Sequence, residues 1–412
     1  MNETGARDGC SLYPDRVSVI GAGRWARVMI ETLCSILPVS IEISVHSLGN
    51  AMKMSGWVMA QGLNGRVHVF SEWPQYTSTK SSAAIVVNAA SDHERTVEAM
   101  LSAGIPVLVE KPMASSEFAA QRLVDIAHSR NIVFATAHIF LFAEYLNLFS
   151  CHVAKAKDIL GVRLVWADPK SENRYGEKKR YDPGLPIFSD WLPHVLSILG
   201  LIIPDGSQRC DGLEFHRGGA HLKLKLMLGD IPCRVELIRN DEQRQRVIEV
   251  ATEGDMLQLD FTNEPGTIMS GSRTIEGNAD WGQNKGPLAQ MLISFLKWAA
   301  GGEFDDRLDA KIGLQASKVI DQTEVLYHAS MLSWILEKST AKNWDDEELQ
   351  YAFKEILLSQ GMLLEKDVDS LIKNLCQRFT EKDGLYWQKQ LADSMDPFAL
   401  LKTIAINSEV RD

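Results

Sequence analysis

Several things are scarce in this chain of 412 residues, and each scarcity removes a class of protein. Six cysteines (Cys10, Cys34, Cys151, Cys210, Cys233, Cys376) are scattered with no C-x-x-C pair. So sparse a set in so long a chain predicts reduced thiols in a cytoplasm rather than a disulfide framework. Long apolar runs are missing too. The longest, Val195 to Ile203, is interrupted by Ser197 and Gly200 and is too short to cross a bilayer, so no membrane partner is expected. The stretch from Met1 to Tyr13 is polar and lacks the apolar centre of a secretory signal. Basic runs are absent, and the net charge is −11, which argues against nucleic acid as a partner. No P-loop, H-E-x-x-H or G-x-S-x-G occurs, and Cys151-His152 and His216 with His221 lack converging metal-ligand spacing, so no metal is expected.

What is present is an alternation. Arg16 to Ile20 is a short β-branched run, and Val28, Met29, Leu33 and Ile36 recur at helical spacing after it. Further strands read at 41–45, 67–70, 84–88, 107–109 and 132–135, with helices at 94–103 and 117–130. Strand and helix alternating at this spacing predict a parallel sheet covered on both faces. The texture changes after about residue 140. A strand at 162–166, a polar loop at 168–184 and a helix at 190–201 precede strand-like alternations at 213–215, 222–228, 233–238, 247–252 and 256–261. Tight turns such as Gly229-Asp230 and Gly254-Asp255 separate them, which predicts a mainly antiparallel sheet. Helices return at 288–300 and 307–336. After Lys342, Leu349, Phe353, Ile356 and Leu357, then Val368, Leu371, Ile372 and Leu375, mark a small helical extension. The expected fold class is α/β, divided as 1–138 for a Rossmann domain, 139–340 for a substrate domain and 341–412 for the extension.

The chemistry concentrates at strand ends. Gly21-x-Gly23-x-x-Ala26 fits the dinucleotide fingerprint, with Arg24 and Trp25 inside the loop. The first glycine permits a tight turn, the second admits a pyrophosphate, and the small third residue lets helix approach strand. The helix N-terminus then offers its unpaired N–H groups to the phosphates. The carboxylate that would grip an adenosine ribose is missing at the end of the second strand, where His46-Ser47 stand instead. A 2′-phosphate would meet no repulsion there and could contact Ser47, His46 or Lys53, so NADP(H) is favoured over NAD(H). Asn88 ends a strand, Asp92-His93 opens a helix, and Glu110-Lys111-Pro112 closes a third strand, in the crevice where open α/β sheets bind ligands. Asn88, His93 and Glu110 are thus candidates for cofactor contact. Lys111 is placed to hydrogen-bond a reacting oxygen and to move a proton. As an isolated tripeptide, Glu-Lys-Pro would read as a solvated lysine before a helix.

It is not isolated. From Gly21-Ala22-Gly23 through Asp92-His93 and Glu110-Lys111-Pro112 to Asp190-Trp191-Leu192-Pro193-His194, the chain resembles the glucose–fructose oxidoreductase/inositol dehydrogenase/rhizopine catabolism (Gfo/Idh/MocA) family. The resemblance covers about 320 residues, as far as the helix ending near Leu336. It implies a Rossmann domain, then an α/β domain whose open sheet walls the substrate pocket and often pairs subunits, so a homo-oligomer is expected. It implies that Lys111 is the family's catalytic lysine and that Asp190 and His194, at i and i+4 on one helical face, orient and transfer a proton. The implied activity is NAD(P)-dependent hydride transfer to or from a carbonyl, alcohol or imine carbon of a small molecule such as a sugar or cyclitol. A cofactor-binding regulatory or scaffold protein of the same fold without turnover is the alternative.

Three departures bear on the substrate. Ser197 stands where many members have an aspartate three residues after the histidine. The glycine-rich segment before the motif aspartate is reduced to Gly184, followed by Leu185 to Ser189. Trp166, Tyr175, Tyr181, Phe188 and Trp191 would suit either an aromatic pocket or ordinary core. His138 and Phe140 follow the last Rossmann strand, where the family's domains hinge around substrate, and rank second as candidates. The extension lies outside the resemblance; packing on the core or lengthening a subunit interface is its expected role, with docking to a carrier protein an alternative resting only on its being extra.

Overall fold

The computed structural model describes residues 12–74, 81–156, 158–174, 177–178, 181, 184–204, 206–281, 285–340, 347–358, 365–380 and 384–406. In chain order the first elements are β1 (Arg16–Ile20), α1 (Arg24–Ile36), β2 (Glu42–His46), α2 (Ala51–Ala60), β3 (Val67–Phe70), β4 (Ser82–Val86), α3 (His93–Ser102), β5 (Val107–Val109), α4 (Glu117–Ser129), β6 (Phe134–Thr136) and α5 (Glu144–Val153). There follow β7 (Ile159–Pro169), β8 (Asn173–Arg174), β9 (Glu177–Lys178), α6 (Ile187–Ile202), β10 (Gln208–His216), β11 (His221–Leu228), β12 (Ile231–Asp241), β13 (Gln245–Thr252), β14 (Met256–Asp260), β15 (Thr267–Ser270) and β16 (Arg273–Glu276). The chain ends on α7 (Pro287–Ala299), α8 (Ala310–Thr340), α9 (Glu347–Leu358), α10 (Glu365–Thr380), α11 (Gly384–Asp393) and α12 (Pro397–Ile406).

Two compact units result. The first comprises Met1–Leu148, Leu196–Leu201 and Asn278–Lys318, and the second comprises Phe149–Val195, Ile202–Gly277 and Val319–Asp412. Both are discontinuous, unlike the three consecutive segments read from the sequence: residues 278–318 return to the first unit, and 341–412 fall with the second.

In the first unit six strands form a sheet in the order β3-β2-β1-β4-β5-β6, every pair parallel. This is the doubly wound dinucleotide-binding order, in which the chain reverses direction across the sheet between β1 and β4. Alternate residues of each strand feed separate cores. Val17, Val19, Ile43, Val45 and Ile85 pack with Met29, Leu33 and Phe295, whereas Ile20, Ala84, Val86 and Val107 pack with Val97, Leu101 and Leu123. The sheet is thus covered on both faces, as its apolar strands require.

In the second unit eight strands run β10-β11-β12-β7-β13-β14-β15-β16, with only β12 and β7 parallel. One face alternates inward with apolar residues such as Leu222, Leu224, Leu226 and Leu228 of β11, all buried. The opposite face carries charged pairs, among them Arg163–Glu249 at 3.0 Å and Lys225–Glu214 at 3.2 Å. The strands β15 and β16 and the helices α2 and α5 are additions to the sequence reading. The helix expected over 307–336 is broken at its start: a 3-10 turn at Asp306–Leu308, capped by the Asp305 carboxylate on the Arg307 N–H, ends at extended Asp309 before α8 begins.

Candidate active site

The glycine loop joins β1 to α1 in the first unit. Gly21 has φ of 132°, and a Cβ there would lie 2.6 Å from the Val87 carbonyl oxygen, so no other residue fits. Gly23 caps α1 with no side-chain hydrogen bond, and a Cβ on it would meet nothing within 4 Å. The α1 N-terminus therefore opens onto free space, with no acidic residue in its first turn. Arg24 stands there with a buried Nη1 that has no hydrogen-bond partner, while Ala26 is fully buried and seats the helix on the sheet. An uncapped helix start beside an orphaned guanidinium N–H fits a pyrophosphate, so the residues present suit a dinucleotide.

Trp25 and Glu110 tie this loop to the end of β5. The Trp25 indole donates to Glu110 Oε1 at 2.5 Å, and Glu110 Oε2 accepts from the Lys111 backbone N–H at 3.2 Å. His93 is buried and holds the next strand end: its Nδ1 lies 2.8 Å from the Pro112 carbonyl oxygen and its Nε2 lies 3.3 Å from that of Asn88. Burial lowers the His93 pKa, against the raising effect of these two carbonyl contacts. Asn88 donates from Nδ2 to Thr96 at 2.8 Å, and its Oδ1 is buried without a partner. Asn88, His93 and Glu110 thus brace the strand ends that present Lys111. Lys111 itself is half-buried, just past β5.

His138, one residue beyond Ala137 after β6, is 1% exposed, and neither ring nitrogen has a hydrogen-bond partner. Burial, and secondarily the charge of Lys111, pushes its pKa down to about 4. It is a neutral imidazole within electrostatic reach of Lys111. Phe140 is half-buried.

At the end of β2 the two phosphate candidates are differently placed. His46 is buried and stacked on Phe70, with Nδ1 3.0 Å from the Glu72 carbonyl oxygen and Nε2 3.1 Å from Ser44 Oγ. Both its nitrogens are engaged within the unit, because the ring turns back under the sheet edge instead of outward. Ser47 is half-exposed and accepts from the Asn50 N–H at 3.2 Å, and Lys53 is exposed. Glu42 is ion-paired with Arg16 at 2.9 Å, at the opposite end of β2 from His46.

In the second unit α6 presents Asp190 and His194, both half-buried. The His194 ring lies parallel to Trp166 of β7, with centroids 6.0 Å apart and planes 13° apart. Asp190 Oδ2 accepts from Arg239 Nη2 at 3.0 Å, and Arg239 is 1% exposed. Beside it, fully buried Asp168 pairs with Arg246, itself 2% exposed, and accepts from the Tyr181 hydroxyl at 3.1 Å. The Arg246 guanidinium lies 4.0 Å from the Trp166 ring centroid, and that of Arg239 lies 4.8 Å from Tyr181. Two buried cations, each with its own carboxylate and an aromatic face, back the Asp190–His194 helix. Such pairs hold only when both members are present, since losing one costs ~3–5 kcal/mol.

Sequence reasoning found neither Asp168, Arg239 nor Arg246, yet a signal existed. In β12 Arg239 continues the buried series Cys233, Val235, Leu237, and in β13 Arg246 precedes buried Ile248 and Val250 at the same two-residue period. A charged residue at an inward position of a strand needs a buried partner. Of the aromatic residues, Phe188 packs on Tyr327 and is 1% exposed, so it is core, and Trp166 and Trp191 are each 4% exposed. Tyr181 remains half-exposed, and Tyr175 lies outside the described residues. Ser197 is buried. Among the described residues no group of three or more His, Cys, Asp or Glu could hold a metal ion.

Comparison with known proteins agrees with this geometry. Residues 16–138 match the Gfo/Idh/MocA model, described as an oxidoreductase family with an NAD-binding Rossmann fold. Human biliverdin reductase A is 28% identical over 192 residues, 45% of this chain, and the mouse protein is 29% identical over 193. The match spans about three-fifths of those relatives' length: 60% of the human protein and 59% of the mouse one. Among solved structures, UDP-N-acetylglucosamine 3-dehydrogenase GnnA from Acidithiobacillus ferrooxidans superposes with a TM-score of 0.63 at 17% identity, covering 77% of this chain and 98% of that one. The 3-ketoreductase KijD10 from Actinomadura kijaniata, solved with NADP and TDP-benzene, gives 0.60 at 14% identity over 76% and 97%. These two likenesses establish the fold. The family match is carried by residues 16–138, which hold the glycine loop and the Glu-Lys-Pro strand end.

Proposed function

We propose that the chain is an NAD(P)-dependent dehydrogenase or reductase acting on a carbonyl, secondary alcohol or imine carbon of a small molecule, a sugar, cyclitol or related compound being the family's usual substrate. The observation that carries this reading is the pairing of an open, uncapped α1 N-terminus with a braced Lys111 at the crevice end of the same sheet. The nicotinamide, when bound, supplies or accepts the hydride. Gly21, Gly23, Arg24, Trp25 and Ala26 would hold its pyrophosphate, and Asn88, His93 and Glu110 would shape the strand ends beneath it.

Lys111 hydrogen-bonds the reacting oxygen or nitrogen and moves its proton. In the second unit His194 would transfer a proton, and Asp190 would orient it or anchor substrate. Orientation of this kind is the protein's share of the work in hydride transfer. NADP(H) is favoured over NAD(H), because Glu42 is ion-paired with Arg16 at the opposite end of β2 from His46, and Ser47 and Lys53 follow that strand with their side chains at least partly open. Both buried arginines of the second unit are neutralised by Asp190 and Asp168, which disfavours an anionic group bound directly to them. A cytoplasmic homo-oligomer is the setting this reading assigns, and no described helix is long and apolar enough to cross a membrane.

The test is a fluorescence titration with NADPH and NADH, followed by turnover across sugars, cyclitols, ketones and cyclic imines. Binding of NADPH tighter than NADH, with turnover of a panel member, is expected. Binding of neither nucleotide would overturn the reading.

A further inference from the structure

The C-terminal helix α9 lies outside the family resemblance, yet it is built into the interior of the second unit. A Cβ on Gly218, whose φ is 65°, would lie 2.0 Å from the Glu348 carbonyl oxygen, and one on Gly184 would lie 2.7 Å from that of Leu358. Backbone meets backbone at both ends of the helix. Gly184 is the glycine that stands just ahead of α6 and Asp190. Between these contacts α9 buries Leu349, Ala352, Phe353, Ile356, Leu357 and one carboxylate, Glu355.

Glu355 is 3% exposed. Its Oε1 accepts a hydrogen bond from the buried Tyr327 hydroxyl of α8, and its Oε2 has no hydrogen-bond partner. Its charge acts on Arg239 of β12, and so does the Tyr351 side chain of α9. Arg239 donates to Asp190 Oδ2 at 3.0 Å and to the Leu185 carbonyl oxygen at 3.0 Å, and its Nε is buried without a hydrogen-bond partner. Tyr181 and Trp191 lie against the guanidinium, 4.8 and 5.6 Å from it.

We propose that Arg239 is a positioning residue for Asp190, held in place by Tyr351 and Glu355 of the C-terminal helix α9. The family's motif aspartate is thereby set from a segment the family motifs do not include. The inference rests on the reading of Asp190 as a site residue. A buried guanidinium takes the orientation that satisfies its N–H fork. Two of its contacts, Asp190 and Leu185, flank the start of α6, and Tyr351 and Glu355 of α9 also act on its charge. With α9 in place the fork points at Asp190; without Tyr351 and the Glu355 charge, Arg239 is free to turn and Asp190 loses its fixed partner. Glu355 accepts from Tyr327 and feels the Arg239 charge, and burial pushes its pKa up to about 7. Its charge on Arg239 is therefore weakened below neutrality.

Full-length Tyr351→Phe and Glu355→Gln proteins test this, since each keeps the shape of the helix. Arginine side-chain NMR identifies the Arg239 guanidinium by its loss in Arg239→Lys, and this readout needs no turnover. The expected result is that Tyr351→Phe, Glu355→Gln and Asp190→Asn each displace that resonance. With the substrate found by the panel, the two α9 variants lower kcat/KM about tenfold with NADPH affinity within twofold of wild type. Glu355→Gln additionally flattens the pH dependence of kcat/KM around 7. An Arg239 resonance indifferent to both α9 variants would overturn the clamp. A displaced resonance with unchanged kcat/KM and pH profile would overturn its positioning role. Full turnover in Lys111→Ala strikes the proposed reaction instead and leaves the NMR result standing.

Discussion

The two units hold a few buried polar groups still by different means. In the first, the groups around Lys111 are braced mainly over short distances and mainly by backbone: His93 reaches the Pro112 and Asn88 carbonyls, and Glu110 accepts from the next N–H in the chain. In the second, Asp190 and Asp168 are braced by arginines 49 and 78 residues away, which need aromatic faces and buried carboxylates to stay charged in the interior. Backbone-braced sites tolerate side-chain change around them. A site braced by buried ion pairs transmits any loss along the network.

The sharpest way to break that contrast is at its two centres. Lys111→Ala should reduce turnover by about 10²- to 10⁴-fold, the usual contribution of a positioned proton-transfer group. NADPH binding, followed by fluorescence, should stay nearly intact, and equal turnover in the variant would remove Lys111 from the mechanism. Arg239→Met should cost the second unit ~3–5 kcal/mol in denaturant unfolding, because it leaves Asp190 and Glu355 without their cation. Loss of under 1 kcal/mol would show that the network is a solvated contact.

A smaller effect separates the units by pH. His138 has its pKa depressed to about 4, so the stability it confers is present above its ordinary value of 6.5 and is lost as pH falls through 4. The full loss amounts to about 3 kcal/mol. Glu355 is raised to about 7, so its contribution is present below the ordinary carboxylate range and disappears as pH rises through 7. Hydrogen exchange at pH 5 and pH 8 should therefore show β6 loosening in acid and α9 loosening in alkali. Glu355→Gln should cancel the second change only. Parallel behaviour of both units would contradict the assignment of these two groups.

The same contrast explains what could be read from the amino acids. The β1-turn-α1 unit, the parallel strand spacing, Gly21, Lys111 and the α6 motif follow from short-range pattern, so their elements emerge within two or three residues of where they were expected. Asn88 and Thr136 shift across strand ends because strand limits depend on the neighbouring strand's register. His46, the last residue of β2, is buried with its ring nitrogens at Ser44 and the Glu72 carbonyl, contacts that no local pattern encodes. Arg239, Arg246 and Asp168 are long-range partners, visible in sequence only as charges at strand positions whose alternation calls for apolar residues. The α9 contribution needed Gly184 and Gly218 to be recognised as places where another backbone arrives.

The most direct measurement is NADPH and NADH titration of the wild-type protein beside Gly21→Ala, followed by nicotinamide fluorescence. The account predicts binding of NADPH, tighter than NADH, and its loss in the variant, whose added methyl would press on the Val87 carbonyl. Wild-type protein that binds neither nucleotide, or a Gly21→Ala variant that binds as well as wild type, would contradict the placement of the cofactor on this loop.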